Sequence, residues 1–144
     1  MFRALVAFLI FPLVSPGLGH ADPLPGPIPA EVIKIIDGDT IKVRASIWID
    51  QSVIVSVRLR GIDAPELFRP KCQAERQLAR SAKASVAASS PVGSIVTLSE
   101  ITRDKYGGRV VASVTTPDGE TLAARLLAQG QAIMIGTKKP WCPV

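Results

Sequence analysis

The sequence predicts a mainly β domain with helices, an α+β chain whose strands close a five-stranded Greek-key barrel with two or three helices packed around it. Three observations carry this. Apolar residues alternate in short runs at 40–45, 53–60, 95–101 and 110–115, and a period of two marks strands buried on one face. Turn signals at Asp37-Gly38, Asp50-Gln51-Ser52, Gly107-Gly108 and Pro117-Asp118-Gly119 separate them at hairpin spacing. Two stretches of helical spacing then break the series, so the order runs strands, helix, two strands, helix.

Ahead of that domain, residues 1–21 read as a secretory signal peptide. Arg3 is their only charge, an apolar run from Ala4 to Val14 is interrupted only by Pro12, and Gly19-His20-Ala21 places cleavage after Ala21. The run is shorter than the roughly 20 residues a membrane-spanning helix requires. A secreted or periplasmic chain with no stable membrane association after cleavage is therefore expected. His20, the single histidine, leaves with the leader, which excludes Ser-His-Asp triads and His-based zinc sites from the mature protein.

Residues 22–30 hold four prolines and read as an extended linker, which puts the folded domain at 31–144. That length suits one small domain with a modest core. The chain carries a net charge of +5 with pI near 9.6, and losing Arg3 leaves it basic. A basic surface favours polyanionic partners.

Within the domain, residues 31–36 are apolar and β-branched, and Asp37-Gly38 turns them into a second strand over 40–45. A short strand at 47–49 and the strand 53–60 continue the meander. In the latter, Val53, Val55, Val57 and Leu59 share one face, leaving Arg58 and Arg60 on the other. Gly61 ends it, and an acidic turn follows in which Pro65 stiffens the link between Asp63 and Glu66. Residues 73–88 are rich in Ala, with Glu75, Arg76, Arg80 and Lys83 spaced as on a solvated helix face; Ser89-Ser90-Pro91 ends that helix. After the hairpin of 95–101 with 110–115, residues 122–129 form a short helix with Leu122, Ala123, Leu126 and Leu127 on its apolar face, stopped by Gly130. The architecture that accommodates this order is an OB-like barrel.

Asp37-Gly38-Asp39-Thr40 either shapes its turn or offers two carboxylates to a hard cation. Asp-x-Asp after a first strand also matches the nucleophile motif of haloacid dehalogenase phosphatases, but those need a parallel sheet with crossover helices, and this chain shows hairpins. Asp39 and Asp63 fall at the ends of neighbouring predicted strands, and Ca²⁺ takes oxygen ligands from carboxylates, backbone carbonyls and water. With Arg58, Glu66 and Arg109 they make an ensemble suited to phosphodiester hydrolysis: a metal polarises the phosphoryl oxygen, guanidiniums neutralise developing charge, and a carboxylate activates water.

Four ordered motifs now resemble the staphylococcal nuclease (thermonuclease) family across almost all of residues 31–141. They are Ile36-Asp37-Gly38-Asp39-Thr40, Arg58 five residues before Asp63-Ala64-Pro65-Glu66, Asp104-Lys105-Tyr106-Gly107, and Ala128-Gln129-Gly130. The resemblance implies an OB-fold, a single Ca²⁺ and cleavage of DNA and RNA. It implies Asp39 and Asp63 as metal ligands through their side chains, Ala64 through its carbonyl, Glu66 as general base or water-orienting carboxylate, and Arg58 with Arg109 as phosphate clamps. The chain departs from the family pattern twice. An extra glycine, Gly108, precedes Arg109, and Ile133-Met134-Ile135-Gly136 stands where the family often has tyrosines.

Arg60, Arg69 and Lys71 flank this set and are read as solvated charge, and Trp48 and Trp141 as core or tail anchors. Cys72 and Cys142 are the only cysteines; in an exported chain they are expected to form one disulfide tying the tail near Trp141 to the start of the first helix. The expected protein is a monomeric, secreted nuclease. A catalytically inactive nucleic-acid-binding OB module and a Ca²⁺-stabilised structural domain are its rivals.

Overall fold

The computed structural model describes residues 23–143; the expected signal peptide and its expected cleavage after Ala21 lie outside them. The elements run β1 (Ile28–Ile35), β2 (Thr40–Trp48), β3 (Gln51–Leu59), β4 (Ile62–Asp63), α1 (Gln73–Ser89), β5 (Ile95–Arg103), β6 (Arg109–Thr115), α2 (Leu122–Ala128) and β7 (Ile133–Met134). Five strands close a barrel in the order β1-β2-β3-β6-β5, and β4 pairs with β7 beside it. The β3–β6 seam is parallel, from Ser56 opposite Arg109 to Leu59 opposite Ala112, while the other barrel pairs are antiparallel. This is the OB-like α+β barrel expected from the element order.

Alternation fills the interior as the period of two requires. Val32, Ile41, Val43, Val57, Leu59, Val96, Leu98, Ala112 and Val114 are buried in one cluster, closed by Ala82 and Val86 of α1 and by Leu122 and Leu126 of α2. The alanines of α1 are thus functional in packing, since Ala79 and Ala82 are fully covered and small side chains let the helix axis lie close. Leu59→Ala, which would empty a position 1% exposed, is of the kind that costs about 2–5 kcal/mol.

Both helices have defined ends. Cys72 Sγ accepts from the Glu75 N–H at 3.4 Å to cap α1, and the Ser90 N–H and hydroxyl both return to the Val86 carbonyl. Thr121 Oγ1 caps α2 through the Ala124 N–H. Gly130, at φ 66°, ends α2 with paired bonds from the Gln131 N–H to Leu126 O and the Gly130 N–H to Leu127 O, a C-terminal motif that needs a left-handed residue.

Three sequence expectations change. The barrel begins inside the proline-rich stretch: Ile28 and Pro29 face Leu98 and Thr97, and the Leu24 N–H donates to Ile101 O at 2.9 Å. Alternate prolines hold the backbone extended, and extended backbone can join a sheet edge as readily as it spans a linker. The two strands expected at 40–45 and 47–49 are one, β2, because a bulge between Ser46 and Trp48 carries the pairing through to a tight turn where Asp50 takes φ 56°. Trp48 is 76% exposed and anchors nothing, whereas Trp141 is 8% exposed and holds the tail. The physical reason is reach. Pairing of β1 with β2 stops at Ala45 and pairing of β6 with β3 starts at Ser56, so the hairpin tip has water on both faces. The expected disulfide joins Cys72 to Cys142.

Candidate active site

The acidic turn after β1 is laced to its neighbours before any side chain is considered. The Ile36 and Asp37 N–H groups donate to Thr40 O, and the Leu59 N–H donates to Asp39 O at 2.8 Å, which fixes Asp39 against the end of β3. Gly38 is required by closeness: a Cβ there would stand 2.7 Å from Ala82 Cβ and 3.0 Å from Ala64 Cβ. Opposite, Gly61 at φ 81° turns the chain from β3 into β4, whose pairing with Ile133 and Met134 sets Asp63 beside Asp39. Pro65 is buried, so the carboxylate-bearing turn is braced at its centre.

Arg58 holds the two aspartates together. One of its nitrogens, Nη1, ion-pairs with Asp39, while Nη2 ion-pairs with Asp63 and donates to Ile62 O at 3.1 Å. Asp39 is 7% exposed; its second oxygen accepts from the Ala64 N–H at 2.9 Å, and the Thr40 hydroxyl donates to the first at 3.0 Å. Burial alone would push the Arg58 guanidinium down, but Asp39, with Asp63 and Asp37, more than reverses this and raises it. Asp37 lacks such relief: burial first, and the Asp39 charge second, push its carboxyl up to about 6.

On the facing wall, Arg109 ion-pairs through Nε with Asp104. Burial pushes the Asp104 carboxyl up, yet the bonds from Arg109 and from the Lys105 N–H prevail and hold it below the usual range. The Tyr106 ring centroid is 5.0 Å from Lys105 Nζ and 5.1 Å from the Arg109 guanidinium carbon. The extra glycine is absorbed within the turn, where Gly108 takes φ 75°, so that β6 starts at Arg109 and its side chain still meets the site.

One open cleft of about 500 Å³ is lined by Asp39, Asp63, Ala64, Arg58, Glu66 and Arg109; these six positions, drawn from four chain segments, are brought together. Glu66 is exposed, with one oxygen accepting from the Phe68 N–H at 3.0 Å. Asp37, Asp104, Ile135 and Lys139 line the same cleft. Lys139, whose Nζ is 3.9 Å from Asp63 Oδ2, was not foreseen; its signal is its place three residues before a disulfide cysteine. Arg69 and Lys71 are exposed, as expected of solvated charge. Arg60 is not: it donates to Glu100 O, Thr102 Oγ1 and Val111 O, bracing β5 where Glu100 takes φ 51°. Glu75 also departs from the solvated face assigned to it, being 4% exposed because both its oxygens accept backbone N–H groups, from Glu66 at 3.1 Å and Lys71 at 2.7 Å.

A basic OB barrel with arginines and aspartates gathered in one rim cleft defines a class: a small α+β barrel domain with a charged surface cleft, of the chemistry that suits phosphate groups. The family is narrower. Residues 56–142 match the model of the staphylococcal nuclease homologues, and the chain belongs to that family, one of nucleases and nucleic-acid-binding domains. The match begins within β3, so Asp39 precedes it, and its membership of the site rests on its contacts with Arg58 and Ala64. Among curated proteins no match to the chain is found.

Proposed function

We propose that this protein is an exported, Ca²⁺-dependent nuclease that hydrolyses phosphodiester bonds of DNA, RNA or both with little sequence preference, and that it acts as a monomer. The observation that carries the reading is the convergence of Glu66, Arg58 and Arg109 on the cleft that also holds Asp39 and Asp63.

The donor set fits a hard cation. Among the described residues no three His, Cys, Asp or Glu side chains make a ready-made cage, but Ca²⁺ accepts carbonyl and water oxygens alongside carboxylates. Asp39 and Asp63 share Arg58 as a cationic partner, Lys139 reaches only Asp63, at 3.9 Å, and burial with the Asp39 charge raises the Asp37 carboxyl beside them. In this reading Asp39 and Asp63 would hold Ca²⁺ through their side chains and Ala64 through its carbonyl, and the ion would supply Lewis-acid polarisation of a phosphoryl oxygen. Glu66 takes a proton from water, whose oxygen forms the new bond to phosphorus as the bond to the leaving oxygen breaks. The leaving oxygen takes a proton from solvent. Arg58 and Arg109 neutralise charge growing on the other phosphoryl oxygens, which is worth most in the transition state.

Export is supported by the leader-like residues 1–21 and by the disulfide; among the described residues no helix is long and apolar enough to cross a membrane. Intact mass of exported material should correspond to a chain starting at Asp22.

The test is Glu66→Gln, which keeps size and hydrogen bonding but cannot take the proton. Plasmid cleavage with Ca²⁺ should fall about 10²- to 10⁴-fold while Ca²⁺ and DNA binding persist. A well-folded variant that cuts as fast as the parent refutes the assignment of Glu66. A parent that binds DNA but does not cut it with Ca²⁺ present makes the non-catalytic binding module the better reading.

A further inference from the structure

Glu75 is the most deeply buried carboxylate among the described residues that has no cationic partner. It is 4% exposed and sits in the first turn of α1, where the N–H ends of the helix favour negative charge. Its two oxygens are both spent on backbone outside the helix: Oε1 accepts the N–H of Glu66 at 3.1 Å and Oε2 the N–H of Lys71 at 2.7 Å. Those two donors sit at the two ends of the loop joining the acidic turn to α1. Between them no regular element holds the chain, and Glu66, Phe68, Arg69 and Lys71 are all exposed. A buried carboxylate that accepts backbone N–H groups is bound strongly, because charge-assisted bonds in a low-dielectric setting are about twice as strong as neutral ones.

We infer that Glu75 is a positioning residue for Glu66: it holds the main chain at Glu66 fixed against α1, so that the Glu66 carboxylate meets the cleft in one place. The inference rests on the reading of Glu66 as general base. Three links support it. The bond is to the Glu66 backbone itself, not to a neighbour. The rest of the loop has no other anchor of comparable burial. The helix turn that carries Glu75 is itself fastened, since the Glu75 N–H donates to Cys72 Sγ and Cys72 is joined to Cys142. The chain of restraint therefore runs from the disulfide through α1 to the catalytic turn. A Glu at the third position of a helix can turn back to backbone N–H groups ahead of the helix; here it does so to Lys71 and extends the same hold to Glu66.

Glu75→Gln keeps one acceptor but sets an amide NH₂ against a backbone N–H, releasing one end of the loop. A displacement of this kind is expected to lower turnover about 10- to 100-fold, with Ca²⁺ affinity changed by less than the turnover, because Asp39 and Asp63 are held by Arg58, β4 and β7 and not by Glu75. The decisive measurement is a double-mutant cycle with Glu66→Gln. If Glu75 acts through Glu66, adding Glu75→Gln to the Glu66→Gln protein produces little further loss of the residual rate. If it only stabilises the fold, the loss repeats in full, and the inference is overturned. Glu75→Asp, which keeps the charge on a shorter arm, should recover part of the turnover. A second readout is independent of catalysis: in Glu75→Ala, which removes both acceptors, amide hydrogen exchange at Glu66 and Lys71 should quicken while exchange in β2 and β3 stays as in the parent. Unchanged exchange at both amides also overturns the inference. Should the parent protein fail to cut nucleic acid, the proposed function falls, and the exchange measurement still decides whether Glu75 holds this loop.

Discussion

Replacing both cysteines by serine isolates what the cross-link contributes. Serine is a good helix N-cap, so in Cys72→Ser the new hydroxyl would go on accepting the Glu75 N–H that Cys72 Sγ now accepts, and the loss is confined to the S–S bond. The bond closes a sequence separation of 70 residues, a loop that takes in α1, β5, β6, α2 and β7. In the chain-entropy account a loop of this size restrains the unfolded chain by about 4 kcal/mol. Part of this is offset in the folded state: beyond the Thr137 N–H bond to Met134 O the tail is held chiefly by buried Trp141, so once released it regains freedom while the barrel remains folded. A net loss of about 2–4 kcal/mol follows. Urea denaturation followed by far-UV circular dichroism reads it as a midpoint lowered by roughly 1–2 M at an m-value of about 2 kcal/mol/M. A shift below about 0.5 M, with the m-value unchanged, would refute the reasoning and show that the cross-link serves only to dock the tail.

Asp39→Asn should weaken Ca²⁺ binding and activity together, with partial recovery of cleavage at high Ca²⁺, as measured by calorimetric titration and plasmid assay; activity lost with Ca²⁺ affinity intact would contradict its role as ligand. Arg58→Ala should lower turnover by more than it weakens substrate binding, although losing the partner of Asp39 and Asp63 also calls for a check of the melting temperature. Because Ile135 offers no ring for stacking and Lys139 lies in the cleft, DNA affinity should fall steeply with salt, and Lys139→Ala should reduce the slope of log Kd against log salt by about one; a flat profile in the parent protein would disclose an unrecognised stacking surface. The bond from the Thr116 hydroxyl, followed by that from Arg125, holds the Asp118 carboxyl down at about 2. The stability this gives is present above the ordinary carboxylate value of 3.8 and is lost as pH falls toward 2, so thermal melts of Asp118→Asn should decline less than those of the parent across that window.

The barrel was legible because its strands alternate and its turns are chemically marked: Val53 to Leu59 alone announces a strand with one buried face, and Gly130 announces the end of α2. The candidate site was legible by another route. Asp39, Arg58, Asp63 and Glu66 all sit where a strand meets a turn, each motif ambiguous alone, and it was the resemblance of the ordered motifs to a family that grouped the residues that line one cleft. What remained hidden depends on partners far along the chain. Arg60 looks free until β5, 40 residues on, delivers the Glu100 carbonyl. Glu75 matches a solvated helix face until the preceding loop folds over it, and no periodicity records that. Trp48 looks like core because it is large and apolar, but its exposure is decided by where β1 and β6 stop.

The two tryptophans, one 76% exposed at the tip of the β2–β3 hairpin and the other 8% exposed beside the disulfide, give the molecule a matched pair of optical probes. Emission from Trp48 belongs to a fully hydrated indole and is open to dissolved quenchers; Trp141 is shielded from them. Acrylamide should therefore extinguish one component and spare the other, and the spared component changes when Trp141 leaves its buried seat. Exposure of Trp141 can then be followed in an unlabelled sample, with Trp48→Phe serving to silence the exposed signal, and comparison with far-UV circular dichroism distinguishes release of the tail from unfolding of the barrel.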